Sequence, residues 1–167
     1  MNAQSKEHAQ ISELVKSAIV TGLYVTLTLC FAPISYGMIQ LRLSEMFNQL
    51  VHYNKRYLWA VTLGVFIANA YSFGPIDMVV GSLATLIFLS LSLLITKHIQ
   101  DMRKKQLITS LLMATSMFTI AFELKILELD DHSFWLIFLT MAIGEFISMF
   151  LGGFIIRFIA NQVDLTQ

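Results

Sequence analysis

The chain has little charge and almost no cysteine, and each shortage excludes a class of protein. Only 13% of its 167 residues are charged, whereas an average soluble domain carries about 25%. Its 56% share of hydrophobic residues exceeds what a soluble fold of this size can hide, because so short a chain encloses little interior. The composition therefore predicts a membrane protein of one domain.

Several kinds of chemistry are excluded by what is missing. The net charge is zero, so there is no basic field to attract a nucleic acid. Cys30 stands alone, which excludes an internal disulfide and a CxxC redox or zinc motif. The four histidines are scattered, without zinc-ligand spacing. There is no HExxH, GxSxG or GxxxxGK[ST] motif, so we predict no catalytic residues, no metal, no cofactor and no ATP hydrolysis by this chain alone.

Long apolar runs are what the sequence has in abundance. A helix needs roughly 20 mostly apolar residues to cross the hydrocarbon core. The second candidate is amphipathic and only about 11 residues long, which corresponds to about 16 Å of α-helix. The sequence thus predicts an all-α membrane protein with six helices and a short second one, at residues 14–32, 43–53, 57–73, 76–96, 107–127 and 133–160.

Polar termini enclose a single predicted membrane domain. Residues 1–12 are expected to be a polar cytoplasmic tail, residues 13–161 the integral membrane domain, and residues 162–167 a second cytoplasmic tail. The polar start precedes the first apolar run without an evident small-residue cleavage site, so we expect that run to stay as an anchor and not to be removed as a signal peptide.

The basic residues predict the orientation, because lysine and arginine collect at cytoplasmic ends and short loops. With the N-terminus inside and every segment reversing the chain, two basic residues, Arg42 and Lys125, lie toward the outside. The other nine lie inside: Lys6, Lys16, Lys55, Arg56, Lys97, Arg103, Lys104, Lys105 and Arg157. The sequence therefore predicts N-in and C-in topology, as a multi-pass protein of the bacterial plasma membrane.

Six polar residues lie in or beside the outer parts of these segments. A charge at the bilayer centre costs roughly 2.5–3.5 kcal/mol on insertion scales, so such groups normally face a partner, a cavity or a substrate. Glu145 has no cation within one helical turn and is the hardest to explain as packing. We predict an outward-open substrate pocket formed by Arg42, Glu45, Asn69, Asp77, Glu123 and Glu145.

Simpler interpretations stay open for several of these residues. Arg42 and Glu45 are three positions apart, the spacing of an ion pair on a helix at the membrane surface. Asn69 and Asp77 flank Gly74-Pro75, as a helix C-terminal residue and an N-terminal cap would do. Small residues at helical spacing are typical of internal helix packing as well as of docking faces.

Five motifs occur in one order between about Ile11 and Ile159. They are LRLSE at 41–45, Ala68-Asn69, GPIDMVVGSLATL at 74–86, FEL around Glu123 and GEF around Glu145. Together they resemble the QueT family, which are queuosine-precursor transporters. That family looks like the substrate-binding (S) components of energy-coupling-factor (ECF) vitamin transporters, a class related to ABC transporters.

The resemblance implies a fold, a cargo and partners. The fold would be a six-helix S component, and the cargo a 7-deazaguanine such as preQ1, preQ0 or queuine. The partners would be a shared transmembrane T subunit and two ATPases, with Ala18 and Gly22 on the first helix contacting the T subunit. The residues from about Pro33 to Leu41 would act as an outer lid.

The predicted pocket suits this cargo chemically. A deazaguanine presents neighbouring N–H donors along one edge, and a carboxylate can accept two of them. We expect Glu145 or Glu123 to hold that edge. We expect Asp77 and Asn69 to orient the base. Arg42 and Glu45 would close the pocket from outside or hold each other in place. The base ring could stack on an aromatic side chain: Tyr36, Phe73 or Trp135.

Competing interpretations keep part of this picture. The same fold could serve as the S component for another vitamin or a purine. A small membrane enzyme acting on lipids would use its acids as metal ligands, but here the acids are single and lie on separate segments. A purely structural membrane subunit would need no buried acids.

Overall fold

The structure is a computed structural model, and it describes residues 3–36, 41–71 and 74–166. Within those ranges the chain is helical and has no β-strand, which confirms the all-α prediction. The helices are α1 (Ala3–Cys30), α2 (Ala32–Ser35), the 3₁₀ helix η1 (Leu43–His52), α3 (Arg56–Asn69), α4 (Pro75–Ile95), α5 (Met102–Ile126) and α6 (Phe134–Ala160).

Four helices are long and apolar enough to cross a membrane. They are α4, α5, α6 and the Gln10–Cys30 part of α1. Helix α3 has 14 residues and so spans about 21 Å, less than the roughly 30 Å of a hydrocarbon core. The predicted short second helix is present as η1, a 3₁₀ helix and not the α-helix we expected. Its ten residues rise about 20 Å, because a 3₁₀ helix climbs about 2.0 Å per residue.

Helix ends follow local chemistry. Helix α4 begins at Gly74-Pro75, as predicted: Gly74 has φ +105°, which L-residues with a Cβ avoid, and Pro75 takes the first helical position, where a missing N–H costs nothing. Asp101 caps α5 by accepting from the Arg103 N–H at 2.9 Å. Ser133 caps α6 in the same manner, at 3.4 Å from the Leu136 N–H.

The long helices pack in sequence, with η1 among them. Helix α1 packs on α3, α3 on α4, α4 on α5, and α5 on α6. The short η1 contacts all five of these helices, and most extensively α6. Its apolar residues Phe47, Leu50 and Val51 are buried in the main hydrophobic cluster. The shortest of the predicted segments is therefore a central element of the fold.

Gln49 fixes η1 against two neighbouring helices. It is fully buried, and its Nε2 lies 3.2 Å from the Gln106 carbonyl oxygen, 3.0 Å from Ser110 Oγ and 3.2 Å from the Met149 carbonyl oxygen. One amide group thus connects η1 to both α5 and α6. Buried amide N–H groups need such acceptors, since no water reaches them in hydrocarbon.

Hydroxyl and imidazole groups complete the anchoring of η1. Ser44 Oγ lies 2.6 Å from Thr28 Oγ1 on α1. At the other end, His52 Nε2 lies 2.6 Å from Thr109 Oγ1 on α5, and that hydroxyl also meets Ser92 Oγ on α4 at 2.5 Å. Through these bonds the 3₁₀ helix is connected to α1, α4 and α5.

The contact of η1 with α6 can be tested at a glycine. A Cβ on Gly152 would lie within 2.6 Å of Met46 Cα, so alanine there must push η1 away from α6. We expect G152A to destabilise the protein by about 1–3 kcal/mol, the usual range for overpacking. Thermal unfolding in detergent measures the change.

Gly22 provides the matched control, because a Cβ there meets nothing within 4 Å. The variant G22A should unfold at or slightly above the parent temperature, since alanine favours helix over glycine. Equal unfolding temperatures for G152A and G22A would contradict the close η1–α6 packing.

Candidate functional site

All six predicted site residues are buried, none more than 7% exposed. They come from the start of η1, the end of α3, the first turn of α4, the last turns of α5 and the middle of α6. Arg42 hydrogen-bonds one of the other five, Asn69, and lies in electrostatic range of three more. The charge of Arg42 interacts with those of Glu45, Asp77 and Glu145, and its Nη1 donates to Asn69 Oδ1 at 3.1 Å.

Arg42 ties the α2 segment to α3. Its Nε donates to the Ser35 carbonyl oxygen at 3.2 Å, while Nη1 holds Asn69. Its guanidinium carbon also lies 5.3 Å from the centre of the Tyr36 ring, within cation–π range. Among the described residues no direct ion pair joins Arg42 to Glu45, and both are buried. The alternative of a surface ion pair is therefore wrong.

Glu45 is anchored to α1 and not to Arg42. Its Oε1 accepts from the Tyr24 hydroxyl at 2.5 Å, and its Oε2 accepts from Asn48 Nδ2. Tyr24 is fully buried, and the sequence analysis did not identify it. A phenol in the middle of an apolar segment was the available signal, because a buried tyrosine hydroxyl usually finds a hydrogen-bond partner.

Asn69 and Asp77 meet where α3 gives way to α4. Asn69 Nδ2 donates to the Asp77 carbonyl oxygen at 3.2 Å. A Cβ on Gly81 would overlap that same Nδ2, so the glycine makes room for the amide. The N-cap of α4 is Gly74, and Asp77 is therefore not the capping residue. Its position in the first turn still places an acid at the positive end of the helix dipole.

Glu145 faces the interior from the middle of α6. It is 2% exposed, and its Oε1 has no hydrogen-bond partner among the described residues. One turn later, Ser148 Oγ is likewise buried without a partner in that part of the chain. A buried carboxylate without donors is costly, so Glu145 is a strong candidate to receive donors from a ligand.

Glu123 is buried toward a different space. Neither of its carboxylate oxygens has a hydrogen-bond partner among the described residues. It lines an apolar groove of about 320 Å³ between α4 and α5, beside Ile76, Val80 and Phe122. Its charge interacts with that of Asp77, which is its connection to the rest of the site.

Lys125, in the last turn of α5, contacts the α5–α6 connection and not the site. Its Nζ donates to the carbonyl oxygens of Asp130 and His132, both at 3.1 Å. It therefore does not neutralise Glu123, in agreement with the different helix faces of residues two positions apart. In the same loop the His132 N–H donates to Asp130 at 2.8 Å and lowers the pKa of that carboxyl below its ordinary value.

Arg42, Glu45 and Asn69 border a very small cavity of about 20 Å³. That volume holds about one water molecule, whereas sites for small molecules usually enclose about 300 Å³ or more. Within the described residues this cavity is therefore closed and too small for a base. The remaining lining residues are Val65, Gly81, Ala84, Thr85, Met113, Ser116, Met117 and Ile120.

The three aromatic candidates have different outcomes. Tyr36 is half-buried beside Arg42 and donates its hydroxyl to the Ala68 carbonyl oxygen at 2.7 Å. Trp135 is 64% exposed and packs edge-on against Phe134 at the surface, so it does not face the cavity. Phe73 lies outside the described residues, as do residues 37–40 of the predicted lid.

Ala18 and Gly22 are exposed on one face of α1. They line a groove of about 680 Å³ between α1 and α3, whose walls include Leu14, Trp59 and Leu63. Small residues therefore leave a depression on the surface of this helix pair. Ala18 and Gly22 therefore do not serve internal helix packing, which was the simpler interpretation of small residues at this spacing.

The comparisons with known proteins agree with the helical membrane architecture. The family model described as QueT transporter matches residues 14–161. The chain is 41% identical over 164 residues to the queuosine precursor transporter QueT of Lactococcus lactis subsp. cremoris (strain MG1363), covering 93% of this chain and 96% of that protein. No solved structure matches the chain.

These relatives are transporters and not enzymes. The interpretation as a lipid-modifying enzyme is therefore set aside, and the apolar helices are those of a multi-pass membrane protein. The match extends over both ends of the polar site, from η1 to Glu145. The chain belongs to the QueT transporter family.

Proposed function

We propose that the chain is the substrate-capture component of an ECF-type transporter and binds a queuosine precursor at the buried polar cluster. The observation that carries the proposal is the Oε1 of Glu145, which has no hydrogen-bond partner in the part of the chain that the structure describes and is buried in electrostatic range of Glu45 and Arg42. The Lactococcus relative is named as a transporter of a queuosine precursor, and a polar site inside the bundle suits such a cargo.

The chemistry of a 7-deazaguanine complements these groups. Its guanidine-like edge presents adjacent N–H donors, which suit a carboxylate with free lone pairs such as Glu145. Its oxo group needs a donor, and Arg42 and Asn69 carry N–H groups beside the cavity. The aminomethyl group of preQ1 is cationic, so a second acid such as Glu123 or Asp77 would stabilise it. PreQ0 and queuine share the base edge and are candidates on the same grounds.

Glu145 should therefore be decisive for affinity. Replacing it by glutamine keeps its size but removes the charge and one acceptor. Because a hydrogen bond to a charged group contributes about 1.5–3 kcal/mol, we expect E145Q to weaken preQ1 binding about ten- to a hundredfold. Thermal unfolding of the purified protein over a preQ1 titration measures this, since a ligand that binds only the folded state raises its stability.

The exposed Glu7 on α1 supplies the control: E7Q removes the same charge and should bind preQ1 like the parent. Unchanged affinity in E145Q would return Glu145 to a packing role. Stabilisation by another vitamin or a purine, with none by any deazaguanine, would replace the cargo and keep the transport role.

The closed cavity requires a way in, and α2 is the element that we propose to move. Arg42 holds α2 to α3 through the Ser35 carbonyl and Asn69. We therefore propose that Arg42 is first of all a latch for the lid that begins at α2. Glu45, held by Tyr24 and Asn48, would stay behind as a fixed wall of the site.

Removing the latch should loosen α2. In R42M both hydrogen bonds are lost, so we expect the amides of Ile34, Ser35 and Tyr36 to exchange with deuterium about tenfold faster or more, given about 1.5–3 kcal/mol for a charged hydrogen bond. Hydrogen-exchange mass spectrometry measures the change. Exchange in the middle of α6 should be unchanged in R42M. The control R103M replaces an exposed arginine, and its α2 amides should exchange at the parental rate. Parental exchange of α2 in R42M would disprove the latch.

We propose six membrane segments with both termini in the cytoplasm. Support comes from the basic residues, which gather at one end of the bundle. Arg103, Lys104 and Arg157 share one cavity there, and Lys55, Lys97 and Lys105 share a neighbouring one. Lys125 belongs to the connection from α5 to α6, at the other end of α5. Such asymmetry indicates the cytoplasmic side.

Cysteine labelling tests this orientation, and the chain is convenient for it because Cys30 is its only cysteine. On a C30S background, we expect D131C to react with a membrane-impermeant maleimide in intact cells. K104C should react only after permeabilisation, because positive residues mark the inner face. The reverse pattern would establish the inverted topology.

Transport needs an energy source that this sequence does not contain, since it has no GxxxxGK[ST] motif. We propose that a transmembrane T subunit docks on the α1–α3 groove and couples the chain to two ATPases. Exposed Ala18 and Gly22 support this role, because small residues let another membrane helix approach closely. The apolar walls of the groove, including Leu14 and Leu63, suit a helix from a membrane partner.

A further inference from the structure

A large cavity lies away from the polar site, between the start of α5 and the end of α6. It has a volume of about 860 Å³. Its lining combines positive charge, aromatic rings and one buried amide: Tyr53, Met102, Arg103, Lys104, Gln106, Leu107, Ser110, Phe150, Phe154, Arg157, Ala160 and Asn161. Neither the proposed cargo nor the proposed T subunit accounts for this groove.

The charges of the groove are all of one sign. Arg103, Lys104 and Arg157 line it, and no acid is among the described lining residues. No ion pair to another described residue neutralises any of the three. Arg157 is instead held with its guanidinium carbon 4.6 Å from the centre of the Phe154 ring.

Gln106 is a second feature of the groove, independent of its charges. It is 4% exposed and lines the groove. Its Oε1 and Nε2 both lack a hydrogen-bond partner among the described residues. It packs against α6 at Gly153, where a Cβ would lie 3.2 Å from Oε1. Buried amides are nearly always satisfied, so a headgroup oxygen that reached Gln106 from the groove would give Nε2 the acceptor that it lacks among the described residues.

The other wall of the groove is apolar and faces outward from the bundle. Leu107, Phe150 and Phe154 are each at least 40% exposed, which in a membrane protein means contact with lipid. An occupant must therefore combine an anionic, hydrogen-bonding head with an apolar tail. A free inorganic anion would leave the aromatic wall uncovered. A soluble protein partner would have to bury that wall from within the lipid.

We propose that this groove is a binding site for an anionic phospholipid. The phosphate lies among Arg103, Lys104 and Arg157, Gln106 Nε2 donates to a headgroup oxygen, and an acyl chain lies along Phe150 and Phe154. Basic pockets between transmembrane helices are known to suit such headgroups. The lipid would join the ends of α5 and α6, the two helices that carry Glu123 and Glu145.

Native mass spectrometry of the detergent-purified protein can test the site, with dioleoylphosphatidylglycerol as the anionic probe and dioleoylphosphatidylcholine as its zwitterionic counterpart. We expect clear preference for phosphatidylglycerol. Loss of one basic residue in R157Q or K104Q should weaken its binding about fivefold, since each lysine or arginine near anionic lipid contributes about that factor. K97Q removes the same charge at the same end, outside this groove, and should bind like the parent.

Q106L separates the site from general charge attraction, because it leaves the net charge unchanged. Its phosphatidylglycerol binding should fall about tenfold with the lost hydrogen bond to a charged group, while lipid-free thermal unfolding should stay at the parent temperature or rise. Equal binding of the two lipids, equal losses in R157Q and K97Q, or parental binding by Q106L would each overturn the proposal. Displacement of the lipid by inorganic phosphate at the same concentration would overturn it in favour of a free-anion site.

Discussion

Hydrocarbon offers no water to a buried polar group, and this constraint organises the whole bundle around η1. The 3₁₀ helix carries Ser44, Glu45, Asn48 and Gln49, all nearly or fully buried. Each must find its partner on another helix or within η1 itself. Glu45 finds Tyr24 on α1, and Gln49 finds acceptors on α5 and α6. The order of helices around η1, together with η1 itself, thus provides partners for Ser44, for Glu45 and for the amide nitrogens of Asn48 and Gln49.

The same constraint locates the candidate site. Polar side chains of η1 that have hydrogen-bond partners stabilise the fold. Buried polar groups without partners could instead bind a ligand. Asn48 and Tyr24 satisfy Glu45, but Glu145 and Glu123 retain carboxylate oxygens without donors in the described chain. A half-satisfied polar network is costly in a low-dielectric interior. The proposed binding of a ligand would supply donors to these oxygens.

Much of the fold could be predicted from the sequence because its signals are local. Four apolar runs predicted the four long helices, and Gly74-Pro75 predicted the break before α4. The cost of a charge in the bilayer indicated that these groups face a partner or a cavity and not lipid; all six are buried, and the outward-open pocket stays a prediction. The 3₁₀ geometry of η1 was not predictable, because ten residues are too few to distinguish a period of three from one of 3.6.

The features that the sequence did not predict are long-range hydrogen-bond partners and the rotation of helices about their axes. Tyr24 lies 21 residues from Glu45, and Gln49 reaches a carbonyl 100 residues away, so no spacing rule connects them. Glu123 is buried as expected but faces the α4–α5 groove and not the Arg42 cavity. Which face of α5 turns inward depends on its packing against α4 and α6. That packing is a property of the assembled bundle, which hydrophobic pattern alone does not encode.

The small size of the cavity means that either η1 or α2 must move before a base can enter. A base must displace side chains around a space of about 20 Å³. Moving η1 would break the bonds of Gln49 to two helices together with those of Ser44 and His52, and each buried group left unpaired costs about 1–3 kcal/mol. Moving α2 breaks the one bond from Arg42 to the Ser35 carbonyl and the Tyr36–Ala68 bond. Among the described residues, moving α2 thus breaks fewer buried contacts than moving η1, which favours the proposed entry from the α2 side and leaves Glu45 and Glu145 in place.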